Sequence, residues 1–501
     1  MVDKTHTKIK LFTQKNIGFP VLVAASAGLY PLLYYYYSNY TLLNSAEQLI
    51  FFIVYFLALP IVCFIIIWYL VDKITFLQPI KKWALPICNY VWMSYLIVLM
   101  IKGFHTKYIL ATAVIAIGLA ILTNKYFKKI IIFQLLLSLI VLFPLINYMV
   151  FGIEKPETWL IQPDDIEKVV FKNKPNIYFI QPDGYANIEE LKRGYYNFDN
   201  SDFEDYLATN NFKIYKDFRS NYFSTLSSNS SMFGMKHHYH NFPKNKIREL
   251  YNARNVILGS NPVIDIFKHN NYKTHILLGK SYLLMNRPSI QYDYCNIKLD
   301  EIPYFSRGFQ ISKDIKTDLK SLQISTSKSP NFYFLEQLSP SHVTNKKSPG
   351  DIADIEREKY LLRLENTNDW LEEVINYITE NDPNSLIIIG ADHGGFVGMN
   401  TTLEARAKLT NRDLIYSIFS SQLAIKWPNG MAPDYDDKIK THVNLFRVLF
   451  SYLSDDEKYL EDLQEDVSYI QIQSGAPFGV YEYINEKGEI VFNKVSENSF
   501  Q

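Results

Sequence analysis

Cysteine is scarce in this chain, and its placement excludes two common ways of holding a fold together. Three are present in 501 residues: Cys63 and Cys88 lie inside apolar runs and Cys295 stands alone, so neither a disulfide framework nor a cysteine metal site can be drawn. Charge of one sign is lacking too. Lysine plus arginine number 51 and aspartate plus glutamate 51, which gives no argument for a nucleic-acid partner. The sequence also carries no internal repeat and no low-complexity linker.

Apolar length is abundant instead. Runs over roughly residues 17–36, 48–71, 84–101, 108–124 and 130–151 match, at about 20 residues each, a hydrocarbon core about 30 Å thick. A cleaved signal peptide is one short run, not five. No Asp, Glu or Arg lies deep in any run, which speaks against a channel or proton relay. Residues 1–151 are therefore expected to form a five-helix, multi-pass domain of the cytoplasmic (inner) membrane.

Basic residues set the orientation. Lys4, Lys8, Lys10 and Lys15 precede the first run, Lys73, Lys81 and Lys82 follow the second, and Lys125, Lys128 and Lys129 follow the fourth. The other two connections hold only Lys102 and Lys107. The positive-inside rule makes the N-terminus cytoplasmic, and five spans then put the rest of the chain on the outer side. Tyr34–Tyr37 and Tyr40 read as an aromatic belt on that outer face.

Past a connector over 152–172, residues 173–501 read as one α/β domain. Short apolar strands are expected in NIYFIQPDG, THILLG, NFYFLEQL, NSLIIIGADHG and SQLAIKWP. REKYLLRLENTNDWLEEVINYITEN has apolar residues at helical spacing. Alternation of this kind predicts a mostly parallel sheet covered on both faces, with ligands beyond the carboxyl ends of its strands. Asp183, His342, Asp392 and His393 all fall there.

In SLIIIGADHGG a carboxylate and an imidazole stand side by side at a strand end, and Gly394 and Gly395 let the backbone turn closely around what they hold. Asp392 and His393 suit one divalent cation, or else a helix cap and a polar surface residue. Asp183 in QPDGYA repeats the logic as ligand or turn residue. In RSNYFSTLSSNSSMFGM, Thr225 stands where an extended stretch gives way to a helix. Free N–H groups at a helix start favour an oxyanion, and a hydroxyl there is either a nucleophile or a cap.

PNIYFIQPDGYA, SNYFSTLSSNSSMF, LSPSH, SLIIIGADHGG and THVNLFRVLF resemble, in that order over about residues 175–455, the sulfatase-like branch of the alkaline phosphatase superfamily. The resemblance is to membrane-anchored bacterial members such as lipoteichoic acid synthases and phosphoethanolamine transferases. It implies a multi-span α-helical membrane domain followed by an α/β alkaline phosphatase-like (sulfatase) domain. It also implies that Asp183, Thr225, Asp392 and His393 surround one divalent ion (Mn, Zn, Mg or Ca), with a second ion left open. Thr225 would attack, and His342 would contact the transferred group or the leaving oxygen, or else be a loop histidine. His237, His238 and His240 line the substrate cleft or a solvated loop, and Arg447 is expected to anchor a helix rather than bind substrate. SNYFSTLSS lacks the C/S-x-P-x-R setting of formylglycine sulfatases.

The expected activity is metal-dependent transfer of a phosphoethanolamine- or phosphoglycerol-type substituent through a covalent threonine. A phospholipid would be the donor and an envelope glycan or lipid the acceptor, with the catalytic domain extracytoplasmic. Two rivals remain: a phosphate or sulfate ester hydrolase on the same site, and a catalytically silent envelope binding protein.

Overall fold

A computed structural model describes residues 19–152, 157–241, 250, 252–322 and 329–496. The basic tail with Lys4, Lys8, Lys10 and Lys15 lies outside the described residues. The chain divides into two units, Met1–Glu154 and Lys155–Gln501.

In the first unit helices stand over all five apolar runs: α1 Pro20–Ser38, α2 Ala46–Lys73 with one π-helical turn at Val54–Ala58, α3 Lys81–Lys102, α4 Thr106–Leu122 and α5 Phe127–Gly152. Three stretches, Ala46–Lys73, Thr75–Lys102 and Asn124–Val150, are long and apolar enough to cross a membrane, and α4 is apolar but shorter. The pattern is inverted relative to a water-soluble bundle. Ile50, Val114 and Phe143 face outward, while Ser26, Asn89, Gln134 and Ser138 are buried.

Those amides find each other. Asn89 Nδ2 donates to Val23 O at 2.9 Å and to Gln134 Oε1 at 3.0 Å, and Gln134 Nε2 donates back to Asn89 Oδ1 at 2.9 Å. Where lipid offers no partner, such reciprocal bonds tie α1, α3 and α5 together. The tyrosine belt is divided between two roles: Tyr34 and Tyr37 are exposed, whereas Tyr36 and Tyr40 are buried and Tyr40 packs edge-on to Tyr148 at 4.9 Å.

The second unit is built on a seven-stranded sheet in the order β2-β7-β6-β1-β5-β3-β4. Its strands are β1 Ile177–Pro182, β2 Lys213–Ile214, β3 Lys273–Leu278, β4 Tyr294–Cys295, β5 Asn331–Gln337, β6 Leu386–Gly390 and β7 Leu423–Lys426. The five strands β6, β1, β5, β3 and β4 run parallel, and β7 and β2 pair antiparallel beside β6. Every residue of β1 is buried, as expected for a parallel strand covered on both faces.

One face carries Ile177, Phe179, Phe332, Phe334 and Ile388. Against it lie α7 (Thr225–Gly234), α9 (Pro262–His269) and α12 (His442–Ser454), with Phe233 on Phe334 at 5.2 Å, Phe267 stacked on Phe332 at 4.3 Å and Phe446 on Phe179 at 5.9 Å. Helix α6 spans Ser201–Thr209, and the shorter α8 spans Ala253–Leu258. The other face, with Tyr178, Ile180, Tyr333, Leu335 and Ile389, packs under the long α10 (Ala353–Asn381). Helix α11 (Arg412–Phe419) and a three-stranded antiparallel sheet of β8 Ser468–Ile472, β9 Gly479–Ile484 and β10 Ile490–Lys494 complete the unit.

The stretch read from sequence as a connector is part of this unit from residue 157 on. Ile166 is fully buried in the core, Gln162 Nε2 donates to Gly234 O at 2.9 Å, and Phe171 N donates to Asn270 Oδ1 at 2.7 Å.

Gly28 tests the packing of the first unit. A Cβ added there would meet the Phe56 carbonyl oxygen, part of the π-helical turn, at 2.0 Å. Backbone cannot yield as a side-chain tip can. Gly28→Val is expected to separate α1 from α2 and cost about 1–3 kcal/mol or more. Thermal unfolding of the detergent-solubilised chain should show an earlier transition; an unchanged midpoint would contradict the close approach.

Candidate active site and metal centre

Three parallel strands deliver the site. β1 ends at Pro182, β6 ends at Gly390, and the chain after β5 turns back toward both. Asp183 N donates to Gln337 O at 2.9 Å, and Ser341 N donates to Asp183 O at 2.7 Å. Gly184 has φ +68 and a Cβ there would meet Ser341 O at 2.3 Å, so a glycine is required for the LSPSH loop to lie against the end of β1. Arg363 on α10 holds that loop from the other side, donating to Pro340 O at 2.6 Å and to His342 O at 3.1 Å.

The DHGG turn is held as tightly. A Cβ on Gly394 would meet Ser417 O at 2.3 Å and one on Gly395 the Tyr360 ring at 2.3 Å. Tyr360 OH donates to Gly184 O at 2.9 Å and accepts from Ala186 N at 3.1 Å, and Tyr196 OH accepts from Gly395 N at 2.9 Å. Two buried tyrosines thus fix both strand-end turns.

Asp183, Asp392 and His393 come together, each buried, with one possible ligand atom from each lying within 4.8 Å of the others. Asp392 Oδ1 accepts from Gly184 N and from His393 N, both at 3.0 Å, and its Oδ2 has no hydrogen-bond partner. His393 Nδ1–H donates to Gly394 O at 2.8 Å. That fixes the tautomer and leaves Nε2 3.3 Å from Asp392 Oδ2 and 3.6 Å from Asp183 Oδ1. A lone pair facing two buried carboxylates needs a proton or a cation between them.

Burial pushes the Asp392 carboxyl up to about 6. Burial pulls the His393 imidazole down, but the Asp392 and Asp183 carboxylates outweigh it and hold it above its usual value. Both directions report one imbalance, negative charge concentrated where solvent is excluded. Two carboxylates and one imidazole nitrogen, with an orphaned Oδ2, are a donor set that fits one divalent cation.

Thr225 opens α7. Its Oγ1 donates to Asp183 Oδ1 at 3.2 Å and lies 3.5 Å from His393 Nε2. Ser224 precedes it in extended conformation and supplies no side-chain cap, so the first-turn N–H groups of α7 are not taken by that residue. The neighbouring hydroxyls are engaged elsewhere: Ser227 Oγ donates to Ser224 O at 3.0 Å and Ser228 Oγ to Tyr222 O at 2.9 Å.

His342 joins the edge of this group. Its ring centroid is 6.0 Å from that of His393, its Nδ1–H donates to Val343 O at 2.6 Å, and burial lowers its pKa. His237 and His238 do not reach the cluster by any described contact. His238 is buried, stacked on Tyr222 at 4.1 Å with Nε2 donating to Ser227 O at 2.7 Å, and His237 Nε2 donates to Glu465 O at 2.8 Å. They brace Tyr222 and Ser227, on either side of Thr225. The side chain of His240 lies outside those described. Arg447 is buried and bound to Asp164, Gln162 and Tyr459 O, locking α12 to the start of the unit.

Two groups at the site escaped the sequence reading. His442, in the quoted THVNLFR segment, is buried with Nε2–H donating to Ala391 O at 2.6 Å, and burial lowers its pKa to about 4. Glu336 pairs in register with Gln181 on the sheet face below Thr225, and burial raises its carboxyl well above the ordinary range. Gln181, Glu336 and Asn229, one turn beyond Thr225 on α7, are fully buried, and all six of their side-chain polar atoms are without hydrogen-bond partners. The only signal for Glu336 was a charged residue ending the apolar run NFYFLEQ.

No family model matches the chain, and no curated protein matches it. Solved structures do. The integral membrane lipooligosaccharide phosphoethanolamine transferase A (EptA) from Neisseria meningitidis is 12% identical, with 85% of this chain and 95% of that one covered and a TM-score of 0.39. The lipoteichoic acid synthase LtaP from Listeria monocytogenes is 14% identical over 67% of this chain and 92% of that one, TM-score 0.40. The C-terminal periplasmic domain of EcEptC from Escherichia coli, in complex with Zn, is 14% identical over 56% and 83%, TM-score 0.38.

His442 gives a pH-dependent prediction. Its folded pKa of about 4 lies below the unfolded value, so the unfolded chain takes up the proton first as pH falls. The stability it contributes is complete above about pH 6.5 and is lost as pH falls towards 4, by about 3 kcal/mol. His442→Gln keeps a donor for Ala391 O without a titrating group. Thermal unfolding of both proteins from pH 7 to 4 should show the wild type losing more stability than the variant; parallel profiles would contradict the assignment.

Proposed function

We propose that the chain is a membrane-anchored enzyme that transfers a phospho-substituent, of the phosphoethanolamine or phosphoglycerol type implied by its motifs, from a phospholipid to an envelope glycan or lipid through Thr225. One observation carries this reading: the Thr225 hydroxyl stands at the start of a buried helix and donates to Asp183 inside the Asp183, Asp392 and His393 cluster. All five apolar helices are read as spans of the cytoplasmic membrane, with the second unit on its outer side. A lipid donor gives that anchor a mechanistic reason.

Asp183, Asp392, His393 and Thr225 would hold the divalent ion, which supplies neutralising charge to phosphoryl oxygens and acidifies a coordinated hydroxyl. Thr225 Oγ1 gives up the proton it shares with Asp183 Oδ1 and attacks phosphorus in line with the diacylglycerol oxygen. That bond breaks, the departing oxygen takes a proton from water in place of the one Thr225 has released, and a phosphothreonine ester remains. The α7 N–H groups face the negative charge of the transferred group.

In the second half, the acceptor hydroxyl attacks phosphorus, the Thr225 ester bond breaks and Thr225 Oγ1 recovers a proton, balancing the one the acceptor gives up. His342 suits the proton acceptor. With Nδ1–H committed to Val343 O and burial favouring the neutral ring, its Nε2 lone pair can take the acceptor's proton.

Labelling tests the covalent step. Full-length protein incubated with phospholipid carrying a labelled headgroup should gain one substituent on Thr225 by peptide mass spectrometry. Thr225→Ala should lose the label and turnover by at least about 100-fold, while Thr225→Ser keeps part of both because a hydroxyl remains. Undiminished labelling of Thr225→Ala would overturn the assignment, and release of free headgroup at an equal rate without acceptor would make the enzyme a hydrolase.

A further inference from the structure

One face of α10 carries a polar row that grips the loops of the site. Glu356, Tyr360, Arg363 and Thr367 follow at spacings of four, three and four, which lines them up along the helix. Glu356 Oε2 accepts from Thr344 N at 2.7 Å, and Tyr360 OH binds the turn after β1 at Gly184 O and Ala186 N. Arg363 and Thr367 hold the segment that leads to His342. The Thr367 hydroxyl donates to Arg363 O at 2.7 Å, so Ser339 Oγ is the donor in its 2.6 Å bond to Thr367 Oγ1.

Arg363 has the most demanding task. Between the two carbonyls it binds, Pro340 O and His342 O, stands Ser341 with φ +64. That is left-handed backbone in a residue with a Cβ, and it persists only where its surroundings over-determine it. Ser341 N is held by Asp183 O at 2.7 Å, and one guanidinium holds the carbonyls on either side. A rigid fork of N–H donors serves two carbonyls from one position, as a compact ammonium does not. Beyond His342 the chain is tied separately, Val343 N to Gly395 O at 3.1 Å and Thr344 N to Glu356. The span that depends on Arg363 is therefore 340–342, and it carries the imidazole whose ring centroid lies 6.0 Å from that of His393.

The other site residues have supports of their own. Asp183 N donates to Gln337 O, Tyr196 OH accepts from Gly395 N, and His442 donates to Ala391 O beside Asp392. The described hydrogen bonds of the Arg363 side chain go to the loop carbonyls, not to Thr225, Asp183, Asp392 or His393.

We propose that Arg363 is a positioning residue for the second half of the transfer: it sets the His342 imidazole, and the first half does not need it. The proposal rests on the reading of His342 as the group that takes the acceptor's proton. Loss of the clamp leaves the carboxylate and imidazole cluster and Thr225 in place. It lets 340–342 relax towards ordinary backbone, which carries the Nε2 lone pair away from the acceptor.

Timing the two halves separately in full-length, metal-loaded protein tests it. Phospholipid with a labelled headgroup gives the rate of Thr225 labelling, and an unlabelled chase with glycerol as the probe acceptor gives the rate of discharge to glycerol or water. Arg363→Met, which keeps an unbranched apolar stem, should label within about twofold of wild type and discharge at least about tenfold more slowly. Arg363→Lys should fall between the two, because an ammonium replaces the fork. His342→Gln should discharge at least about 100-fold more slowly. Arg363→Met combined with His342→Gln should be no slower than His342→Gln alone, since the arginine acts only through the imidazole. Three results would overturn the proposal: Arg363→Met slows both halves alike, it discharges at the wild-type rate while His342→Gln does not, or it slows His342→Gln further. Wild-type discharge by His342→Gln would instead refute the reading of His342 on which the proposal rests, and the proposal with it.

Discussion

Two buried carboxylates and an imidazole nitrogen confront one another at the ends of β1 and β6, and the surrounding structure serves to keep them there. His393 Nε2 lies 3.3 Å from one carboxylate oxygen and 3.6 Å from another. Such an arrangement is costly without positive charge between the groups, because burial removes the water that would otherwise screen them. The raised Asp392 carboxyl and raised His393 imidazole are two expressions of that cost. Gly184, Gly394 and Gly395 exist at contacts where no Cβ fits, and Tyr196, Tyr360, Arg363 and His442 hold the backbone around them. The scaffold is rigid where the chemistry requires a fixed geometry.

The parts of this site that lie within one strand and its following turn were legible in the sequence. NIYFIQPDG and SLIIIGADHGG each announce a buried strand and the polar residues at its end, and a parallel sheet brings such ends to one edge. β1 and β6 are direct neighbours. Thr225 was legible through its place at a helix start. His442 and Tyr360 were not, because their roles depend on hydrogen bonds to Ala391 O and Gly184 O, 51 and 176 positions away. Neither has a local pattern that distinguishes it from a helix-core residue. The antiparallel turn of β7 and the separate β8–β10 sheet were hidden for a related reason: alternation of apolar segments gives strands but not their direction.

The first unit obeys different solvent physics. Its apolar side chains face outward and its amides face inward, the arrangement expected when the surroundings are hydrocarbon. The Asn89–Gln134 exchange and the backbone contact at Gly28 determine which helices adjoin. Neither was evident from hydropathy, which measures how apolar a run is and not which face meets a neighbour.

The central claim is that the Asp183, Asp392 and His393 cluster holds a cation, and metal content tests it most directly. Full-length protein stripped with chelator, reloaded with a divalent ion and measured by inductively coupled plasma mass spectrometry should hold at least one tightly bound ion per chain. Asp392→Asn should lower its affinity by about 10-fold or more, with near-ultraviolet circular dichroism unchanged. A variant that binds the ion as tightly as wild type would contradict the account.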